Sequence, residues 1–286
     1  MEAEAHAYGD GQVLKVYTND ITLEHLRTLQ AFYADLDASM LSYQLPHIHR
    51  VWEEEGLVLS LERRLPGVAL STKLANLKES ELEAVFQYYL EAIIELRQVR
   101  FPSPLERYKL FDPEGLSLRS KGDFNRFLSR YLEARLALCE PYMQRDVEDW
   151  EQKKTHLQTL LDQPYTGEYA LVHGDFFPAN LLVDDHNRIT ALLDFGWMTQ
   201  YGDPRYDLAT GWVFFDMYDE LKRDTKARLG RLVRTRVREG EVGILYRYIL
   251  LYSIFTANAY AYEGGDGHYR WCVGNLNNPA YWAGLA

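Results

Sequence analysis

Two short apolar runs in the middle of the chain flank a polar connection, and this pattern predicts a β-hairpin. The first run is Leu181–Val183, the second is Ile189–Leu193, and residues 184–188 between them read Asp-Asp-His-Asn-Arg. Short apolar runs bounded by polar turn residues are typical of paired strands. Closing the hairpin brings Asn180, at the start of one strand, next to Asp194, at the end of the other.

Longer stretches carry apolar residues at helical spacing, and they predict that most of the chain is α-helical. The first helix has Thr22 as its N-cap, with a core-facing stripe of Leu26, Leu29, Phe32, Tyr33 and Leu36. Ser80 is the expected cap of the next. The predicted helices cover residues 21–38, 80–98, 122–139 and 145–162, residues 208–263 are expected to be mainly helical, and the tail 264–286 is expected to be irregular.

Strand-like runs lie on both sides of the first predicted helix. The turn signal Gly9-Asp-Gly11 predicts a hairpin within residues 1–17, and further strands are predicted at His49–Glu53 and Leu57–Leu61. The breaker sequence Glu62–Gly67 that follows is typical of a hinge. The chain is therefore expected to have an α+β fold with a small β-rich part, residues 1–64, and a large helical part, residues 65–286.

Composition narrows the class of protein. The chain has 286 residues, of which 47% are hydrophobic and 26% charged, as in ordinary globular proteins. An excess of 42 acidic over 31 basic residues gives a net charge of −11, which argues against a nucleic-acid partner. An acidic surface suits a cationic substrate, although a requirement for solubility explains it equally well.

The two cysteines and the hydropathy of the chain bear on its location. Cys139 and Cys272 lie far apart, which is unlike a zinc site or a disulfide framework and fits a reducing cytoplasm. The acidic start is unlike a secretory leader, and no uncharged stretch approaches the ~18 apolar residues of a membrane helix. The expectation is a soluble cytoplasmic protein without a membrane partner.

The central hairpin carries a set of oxygen ligands. Asp175, Asn180 and Asp194 offer two carboxylates and an amide, the hard ligands that Mg²⁺ and a phosphate substrate require. Each has an ordinary alternative as a turn residue, a strand cap or a strand-end carboxylate. Lys15, inside an apolar strand, either faces solvent from an edge strand or holds nucleotide phosphates as a point charge.

Three motifs in order make these residues more specific: His173-Gly-Asp175 through Asn180, Leu193-Asp-Phe-Gly196, and Gly202-Asp-Pro204 through Asp207. With them, the chain from about Glu2 to Ala209 resembles the aminoglycoside phosphotransferase family, which shares the protein-kinase-like fold with choline and other small-molecule kinases. The resemblance implies a bilobal α+β fold with a small N-lobe and a mainly helical C-lobe. Residues 188–209 and the helical tail are most similar to the hygromycin B phosphotransferases.

The resemblance implies roles for the residues around the hairpin. Asp175 corresponds to the catalytic aspartate that accepts or orients the proton of the attacking hydroxyl. Asn180 and Asp194 are expected to bind Mg²⁺, and Lys15 to neutralise charge on the phosphates of ATP or GTP. Positioning and electrostatics supply most of the rate in phosphoryl transfer.

The resemblance also implies supporting residues and a place for the nucleotide base. His173 and Asp207 are expected to be structural. The adenine is expected against the hinge backbone, formed by Glu62, Arg63, Arg64 and Leu65. Candidate contacts to a polycationic acceptor are acidic residues after Asp207, namely Asp216, Asp219, Glu263 and Asp266. Solvated helix faces and a polar loop explain these acidic residues equally well.

The N-terminal part departs from the family in two respects. The chain is expected to lack the first strand and the glycine-rich loop that covers the phosphates, with only Gly9 and Gly11 available before Lys15. A helix glutamate commonly steadies such a lysine. Here the helix offers Glu24 in its first turn, more typical of a surface residue, and Gln30 at roughly the expected place.

The leading hypothesis is thus an ATP- and Mg²⁺-dependent kinase for a hydroxyl of a small molecule, with an aminoglycoside as the first choice of acceptor. A choline, amino-alcohol or sugar kinase is an alternative, and a non-catalytic kinase-like binding protein is another. Aromatic residues, more often part of a core, are available for a cage around a choline-like cation: Trp197, Trp212, Tyr218, Tyr260, Tyr262 and Trp271. The oligomeric state stays open.

Overall fold

The structure, a computed structural model, describes residues 3–18, 21–100, 124–196, 198–217, 224–260 and 264–285. These residues fall into two compact units. The first contains the described residues up to 100 together with residues 170–201, and the second contains residues 124–169 and those from 202 onwards. The central hairpin and the predicted hinge therefore belong to the same unit.

A four-stranded antiparallel sheet opens the first unit, in the order β1-β2-β4-β3. The strands are β1 (Ala3–Tyr8), β2 (Gln12–Tyr17), β3 (Ile48–Glu54) and β4 (Leu57–Arg63). The predicted N-terminal hairpin is confirmed, and its turn uses Gly9 and Gly11 at φ of 56° and 79°, where glycine is favoured. Since β2 is bonded on both sides, Lys15 lies on an interior strand.

Helix α1 (Leu23–Asp35) contacts β3 and closes over the sheet through an apolar stripe. Thr22 caps it as predicted, because its hydroxyl accepts a hydrogen bond from the His25 N–H at 3.1 Å. Four of the five predicted stripe residues are buried, whereas Leu36 is the half-exposed C-cap. The helix thereby forms one wall of the first unit's core.

The rest of the first unit is built around the central hairpin. Its elements are β5 (Val68–Ala69), α2 (Leu70–Lys73), α3 (Glu79–Leu96), β6 (Ala170–Val172), β7 (Leu181–Val183), β8 (Ile189–Leu192) and β9 (Gln200–Gly202). Strands β7 and β8 form the predicted hairpin, extended by β5 into a three-stranded sheet, while β6 pairs with β9. The hairpin prediction is confirmed.

Helix α3 confirms the predicted apolar stripe but corrects its cap. The helix begins at Glu79, so Ser80 lies inside it, and the capping position is Lys78. Glu81 reaches back and accepts a hydrogen bond from the Lys78 N–H at 2.7 Å, which satisfies one of the donors left free at a helix start. Ser80 was wrong as a cap because Ser80 and Glu83 have the three-residue spacing of a capping box, whereas Lys78 and Glu81 make this bond two residues earlier.

The second unit is helical. Its helices are α4 (Phe124–Asp146), α5 (Trp150–Leu161), α6 (Arg205–Phe214), α7 (Thr225–Arg234), α8 (Val242–Thr256), α9 (Gly267–Leu276) and α10 (Pro279–Ala283). Helix α8 is almost entirely buried and forms the centre of this unit's core. Helix α4 runs past the predicted end through Pro141. Among the described residues, no helix has the length and apolar content of a membrane-spanning segment.

The C-terminal tail is a correction to the sequence prediction of an irregular segment, because it contains α9 and α10. Asp266 caps α9 by accepting from the Tyr269 N–H at 2.8 Å. Asn278 caps α10 by accepting from the Ala280 N–H at 3.1 Å, and Pro279 follows at the first helical position. Asp, Asn and Pro are turn residues and also helix-starting residues, so short helices introduced by them resemble loops in sequence.

We predict different costs for the same substitution at two positions of α4. Leu128 is 1% exposed and Leu138 is 45% exposed. Leu128→Ala should lower the free energy of unfolding by about 2–5 kcal/mol, since it removes buried methyl groups and leaves a cavity. Leu138→Ala should stay within about 0.5 kcal/mol of the unmodified protein. Urea unfolding followed by fluorescence checks both, and equal losses would contradict the observed packing of this helix.

Candidate active site

The imidazole of His173 is buried at the end of β6 and links the two segments that carry the predicted catalytic residues. Its Nδ1 accepts from the Asp175 N–H at 3.2 Å, so its Nε2 carries the hydrogen and donates to the Leu193 carbonyl at 2.8 Å. Burial lowers the pKa of His173 from 6.5 to about 4. The ring is therefore neutral at physiological pH, with one defined tautomer.

Two neighbouring residues complete this link. Gly174 has φ of 81°, and a Cβ placed there would lie 2.1 Å from the Met198 carbonyl oxygen, so the position requires glycine. Thr199, which is 2% exposed, donates to the His173 carbonyl at 3.0 Å and accepts from the Gly196 N–H at 3.0 Å. Thr199 was missed in the sequence, although a threonine three residues after a glycine can signal such a turn.

Asp175 and Asn180 are joined by hydrogen bonds. The Asn180 amide donates to the Asp175 backbone carbonyl at 3.0 Å and to its carboxylate at 3.2 Å. A short 3₁₀ turn, Pro178–Asn180, separates them, and the Asn180 N–H donates to the Phe177 carbonyl at 2.8 Å. The amide nitrogen thus orients the Asp175 carboxylate and leaves the amide oxygen of Asn180 for another partner.

Asp194 follows β8 in a conformation that few residues adopt. Its φ is 55°, in the left-handed region that Asp tolerates better than most side chains, and its side chain is exposed. The next residue, Phe195, is fully buried, with its ring 4.6 Å from that of His173 and 5.7 Å from that of Phe32 on α1. Packing of Phe195 fixes the turn and leaves the Asp194 carboxylate facing outward.

A pocket of about 250 Å³ in the first unit brings most of the predicted nucleotide-site residues together. Its lining contains Lys15 on β2, the whole predicted hinge segment Glu62–Leu65, and Asp194. Apolar contributions come from β2, α1, the segment before β3 and the central hairpin, namely Val13, Leu29, Pro46, Leu182 and Leu193. A largely apolar cleft with a few charged groups at one end is the usual form of a cofactor site.

Lys15 has a carboxylate partner in this pocket, and this partner lies on strand β4 and not on helix α1. Its ammonium lies 3.0 Å from a carboxylate oxygen of Glu62 on β4. Burial alone lowers the pKa of Lys15, but the nearby Glu62, Tyr17 and Asp194 outweigh it and raise the pKa above 10.5. Glu24, which sequence analysis considered as the partner, is exposed on α1.

The hinge backbone is partly engaged within the protein. The Arg63 N–H donates to the His47 carbonyl at 2.9 Å, and the Arg64 N–H donates to the Gly11 carbonyl at 2.8 Å. The Arg63 guanidinium donates to the Leu45 carbonyl at 2.8 Å. A base bound here would therefore use the amide of Leu65, the next donor along the chain, or the carbonyl groups of the segment.

The predicted residues of the second unit have structural partners where they are described. Asp207 is 2% exposed in the first turn of α6. Asp216 accepts from the Thr225 hydroxyl at 3.1 Å and lies 3.5 Å from the Lys226 ammonium. Asp266 is the N-cap of α9. The other two predicted acceptor contacts, Asp219 and Glu263, lie outside the described residues.

The aromatic residues considered for a cage around a cation are not all described. Trp197, Tyr218 and Tyr262 lie outside the described residues. Trp212 is 5% exposed, donates to the Lys226 carbonyl at 2.8 Å and packs in the core of the second unit, as expected for an aromatic of a helix interior. Tyr260 is 79% exposed.

Another cavity, of about 410 Å³, lies elsewhere on the first unit. It is lined by residues of α3 and of the hairpin loop, including Glu91, Glu95 and Arg188, and by none of the predicted site residues. Only two of its eleven lining residues, Ala92 and Ile189, are buried, so it is an open groove. We therefore locate the candidate site in the smaller pocket.

Asp194 lines this pocket, Asn180 lies next to it on the hairpin without lining the pocket, and together their oxygens fit Mg²⁺. Asp194 offers an exposed carboxylate, and Asn180 offers an amide oxygen whose nitrogen is already committed. The Leu193 N–H donates to the Asn180 carbonyl at 2.8 Å, which holds the two ligand positions beside each other. Mg²⁺ commonly takes one or two protein oxygens and completes its shell with phosphate and water. Among the described residues, no cluster of three or more His, Cys, Asp or Glu side chains forms an alternative metal site.

A family profile and several solved structures are similar to this chain. Residues 7–239 match the sequence profile of the phosphotransferase enzyme family, APH. Solved structures with a similar fold include the aminoglycoside phosphotransferase APH(2'')-Ib, described as ADP-bound, with a TM-score of 0.58, 16% identity and coverage of 100% of this chain and 95% of that chain. A search of curated proteins found no match.

Two further structures are similar over most of their length. An aminoglycoside-3'-phosphotransferase of type VIII has a TM-score of 0.52 and 16% identity, covering 88% of this chain and 93% of that chain. A macrolide 2'-phosphotransferase type I has a TM-score of 0.52 and 14% identity, covering 96% and 91%. At such identities the likeness shows the fold, and the predicted protein-kinase-like α+β fold is confirmed.

The neutral state of His173 predicts a pH dependence of stability. The unfolded chain binds this proton near pH 6.5 and the folded protein only near 4, so the unfolded state takes up more protons as the pH falls between those values. The neutral imidazole therefore makes its full contribution to the free energy of unfolding above pH 6.5. As the pH falls towards 4, the free energy of unfolding decreases by up to about 3 kcal/mol. Equilibrium unfolding at a series of pH values measures this loss.

Two variants test whether His173 causes this dependence of the free energy of unfolding on pH. His173→Gln should flatten the dependence between pH 6.5 and 4, because glutamine does not titrate. His186→Gln, at an exposed position of the hairpin loop, should leave it unchanged. An undiminished slope in His173→Gln would show that the buried imidazole is not its source.

Proposed function

Since the chain belongs to the phosphotransferase enzyme family, we propose that this phosphotransferase transfers the γ-phosphate of ATP, with Mg²⁺, to a hydroxyl of a small cationic acceptor. An aminoglycoside is the acceptor we favour. The proposal rests above all on the pocket in which Lys15, Glu62–Leu65 and Asp194 meet. Such a set provides a positive charge for phosphates, backbone for a base and a carboxylate for the metal ion.

Asp175 is the group we assign to the acceptor hydroxyl. Its carboxylate is half-buried, and the Asn180 amide holds one of its oxygens at 3.2 Å. An oriented carboxylate can accept the proton of a hydroxyl as that oxygen attacks phosphorus. The peptide N–H of Asp175 is in turn held by His173, so the base is positioned at both its backbone and its side chain.

Asn180 and Asp194 are the residues we assign to the metal. These two side chains would hold Mg²⁺, whose contribution would be to neutralise charge on the phosphates. The part of this chain is to fix the two ligands on one rim of the hairpin and to leave their oxygens accessible. Lys15, whose pKa is raised, brings a positive charge to the same pocket.

The choice of acceptor is supported by charge and by likeness in fold. The net charge of −11 attracts cations to the surface of the protein. Two of the three similar structures are aminoglycoside phosphotransferases, and one of these is described as ADP-bound. The macrolide 2'-phosphotransferase makes a macrolide hydroxyl the second candidate. Choline, other amino alcohols and sugars remain alternatives from the same class of reaction.

A kinase-like protein that binds a ligand without catalysis is the alternative of a different class. The turn between β1 and β2 is short, with Gly9 and Gly11 as its glycines. A weak cover over the phosphates would open the site to water. Nucleotide binding without transfer to any acceptor would favour this alternative.

Asp175→Asn should abolish transfer while nucleotide affinity changes little. The variant keeps the shape and the hydrogen bond to Asn180 but cannot accept a proton. We expect kcat to fall by about 10²–10⁴-fold, the usual share of a positioned acid–base group. Asp185→Asn, on the exposed hairpin loop, is the matched control and should retain activity. Undiminished turnover in Asp175→Asn would remove this residue from the proposed mechanism.

A panel of acceptors in an ADP-release assay should identify the substrate class. We expect Mg²⁺-dependent ADP release with an aminoglycoside and none after chelation of the metal. The panel contains aminoglycosides including hygromycin B, a macrolide, choline and simple sugars. Release with choline alone would replace the acceptor we favour, and absence of Mg²⁺–nucleotide binding in calorimetry would exclude the enzyme.

A further inference from the structure

Strand β4 contributes to the pocket a carboxylate in an unusual setting, that of Glu62. Glu62 is 6% exposed, and three donors surround it. The Ser60 hydroxyl donates to it at 2.7 Å, the Tyr17 hydroxyl at 3.3 Å, and the Lys15 ammonium lies at 3.0 Å. A buried carboxylate is costly unless it is paired in this way, so each contact has a definite role in holding it.

The β-ladder determines this arrangement. In the pairing of β2 with β4, Lys15 is opposite Ser60 and Val13 is opposite Glu62. Side chains two residues apart on a strand point to the same face, so Lys15 and Glu62 are diagonal neighbours on the face that lines the pocket. Backbone pairing thus makes the two side chains neighbours, within reach of the observed contact of 3.0 Å between the ammonium and the carboxylate.

Helix α1 does not supply a charged partner for Lys15 among its described residues. It presents Leu29 and Tyr33 to the pocket. Gln30 is engaged elsewhere, since its amide donates to the backbone carbonyls of Ile48 and His49 at 3.1 and 3.0 Å. Gln30 thus connects α1 to β3 by hydrogen bonds.

We propose that Glu62 is a positioning residue, which holds the Lys15 ammonium at the phosphate end of the pocket from the neighbouring strand. This inference rests on the proposed nucleotide site. The side chain of Glu62 then has a different role from the hinge backbone, which is the part proposed to contact the base. Tyr17 and Ser60 hold the carboxylate in turn, so Lys15 has one preferred position when the phosphates arrive.

The test compares the binding of adenosine, ADP and ATP, the nucleotides with Mg²⁺, to the full-length protein. Glu62→Gln keeps the shape and removes the charge. Its ATP affinity should fall about tenfold, the scale of one charge-assisted hydrogen bond, while its adenosine affinity stays unchanged. Unchanged adenosine binding also reports that the variant is folded. Glu24→Gln, the same replacement at an exposed position of α1, should alter neither affinity.

A double-mutant cycle with Lys15→Met tests whether Glu62 acts through the lysine. In the Lys15→Met background, Glu62→Gln should cause no further loss of ATP affinity. Full additivity would overturn the inference, because Glu62 would then act without Lys15. Gln30→Ala should leave the ratio of ATP to adenosine affinity unchanged.

Other outcomes separate this inference from the proposed function. If the unmodified protein binds ATP but Glu62→Gln binds it equally well or better, the carboxylate does not position Lys15 for phosphates, and only this inference fails. Equal losses for adenosine and ATP would assign Glu62 to the base. If the unmodified protein binds no Mg²⁺–ATP, the proposed function fails, and the inference fails with it.

Discussion

The neutral imidazole of His173 is the contact on which the candidate site depends. Its Nδ1 accepts a hydrogen bond from the backbone N–H of Asp175, and its Nε2 donates one to the carbonyl of Leu193, the residue before Asp194. One ring therefore sets the spacing between the residue assigned to the acceptor and a residue assigned to the metal. Protonation would replace an acceptor by a donor at Nδ1 and break the first bond. Burial, which lowers the pKa of His173, protects this arrangement.

The backbone also fixes the positions of the charged groups in the pocket that Lys15 and Asp194 line. Lys15 and Glu62 lie on paired strands, and Asp194 lies at the end of the hairpin. The hydrogen bond from the Leu193 N–H to the Asn180 carbonyl holds Asn180 next to Asp194. None of these charged groups depends on a long loop for its place. Electrostatic groups that are already oriented need little reorganisation during reaction, and this is the property that phosphoryl transfer requires.

Local patterns in the sequence were sufficient for the hairpin, for the capped helix α1 and for the proximity of Asp175, Asn180 and Asp194, whose roles stay a prediction. Each of these depends on spacing within a few residues. The partner of Lys15 was not predictable in that way, because it depends on the register between two strands separated by a helix. The tail helices were missed for another reason: their capping residues, Asp266 and Asn278, are typical of loops as well.

The partner of Lys15, Glu62, lies on a strand, and this location affects how the enzyme can be regulated. In protein kinases the corresponding glutamate is on a helix, and movement of that helix makes or breaks the ion pair. Here the pair spans two hydrogen-bonded strands, so a shift of α1 leaves it intact. Movement of a helix is therefore not available as a switch at this lysine.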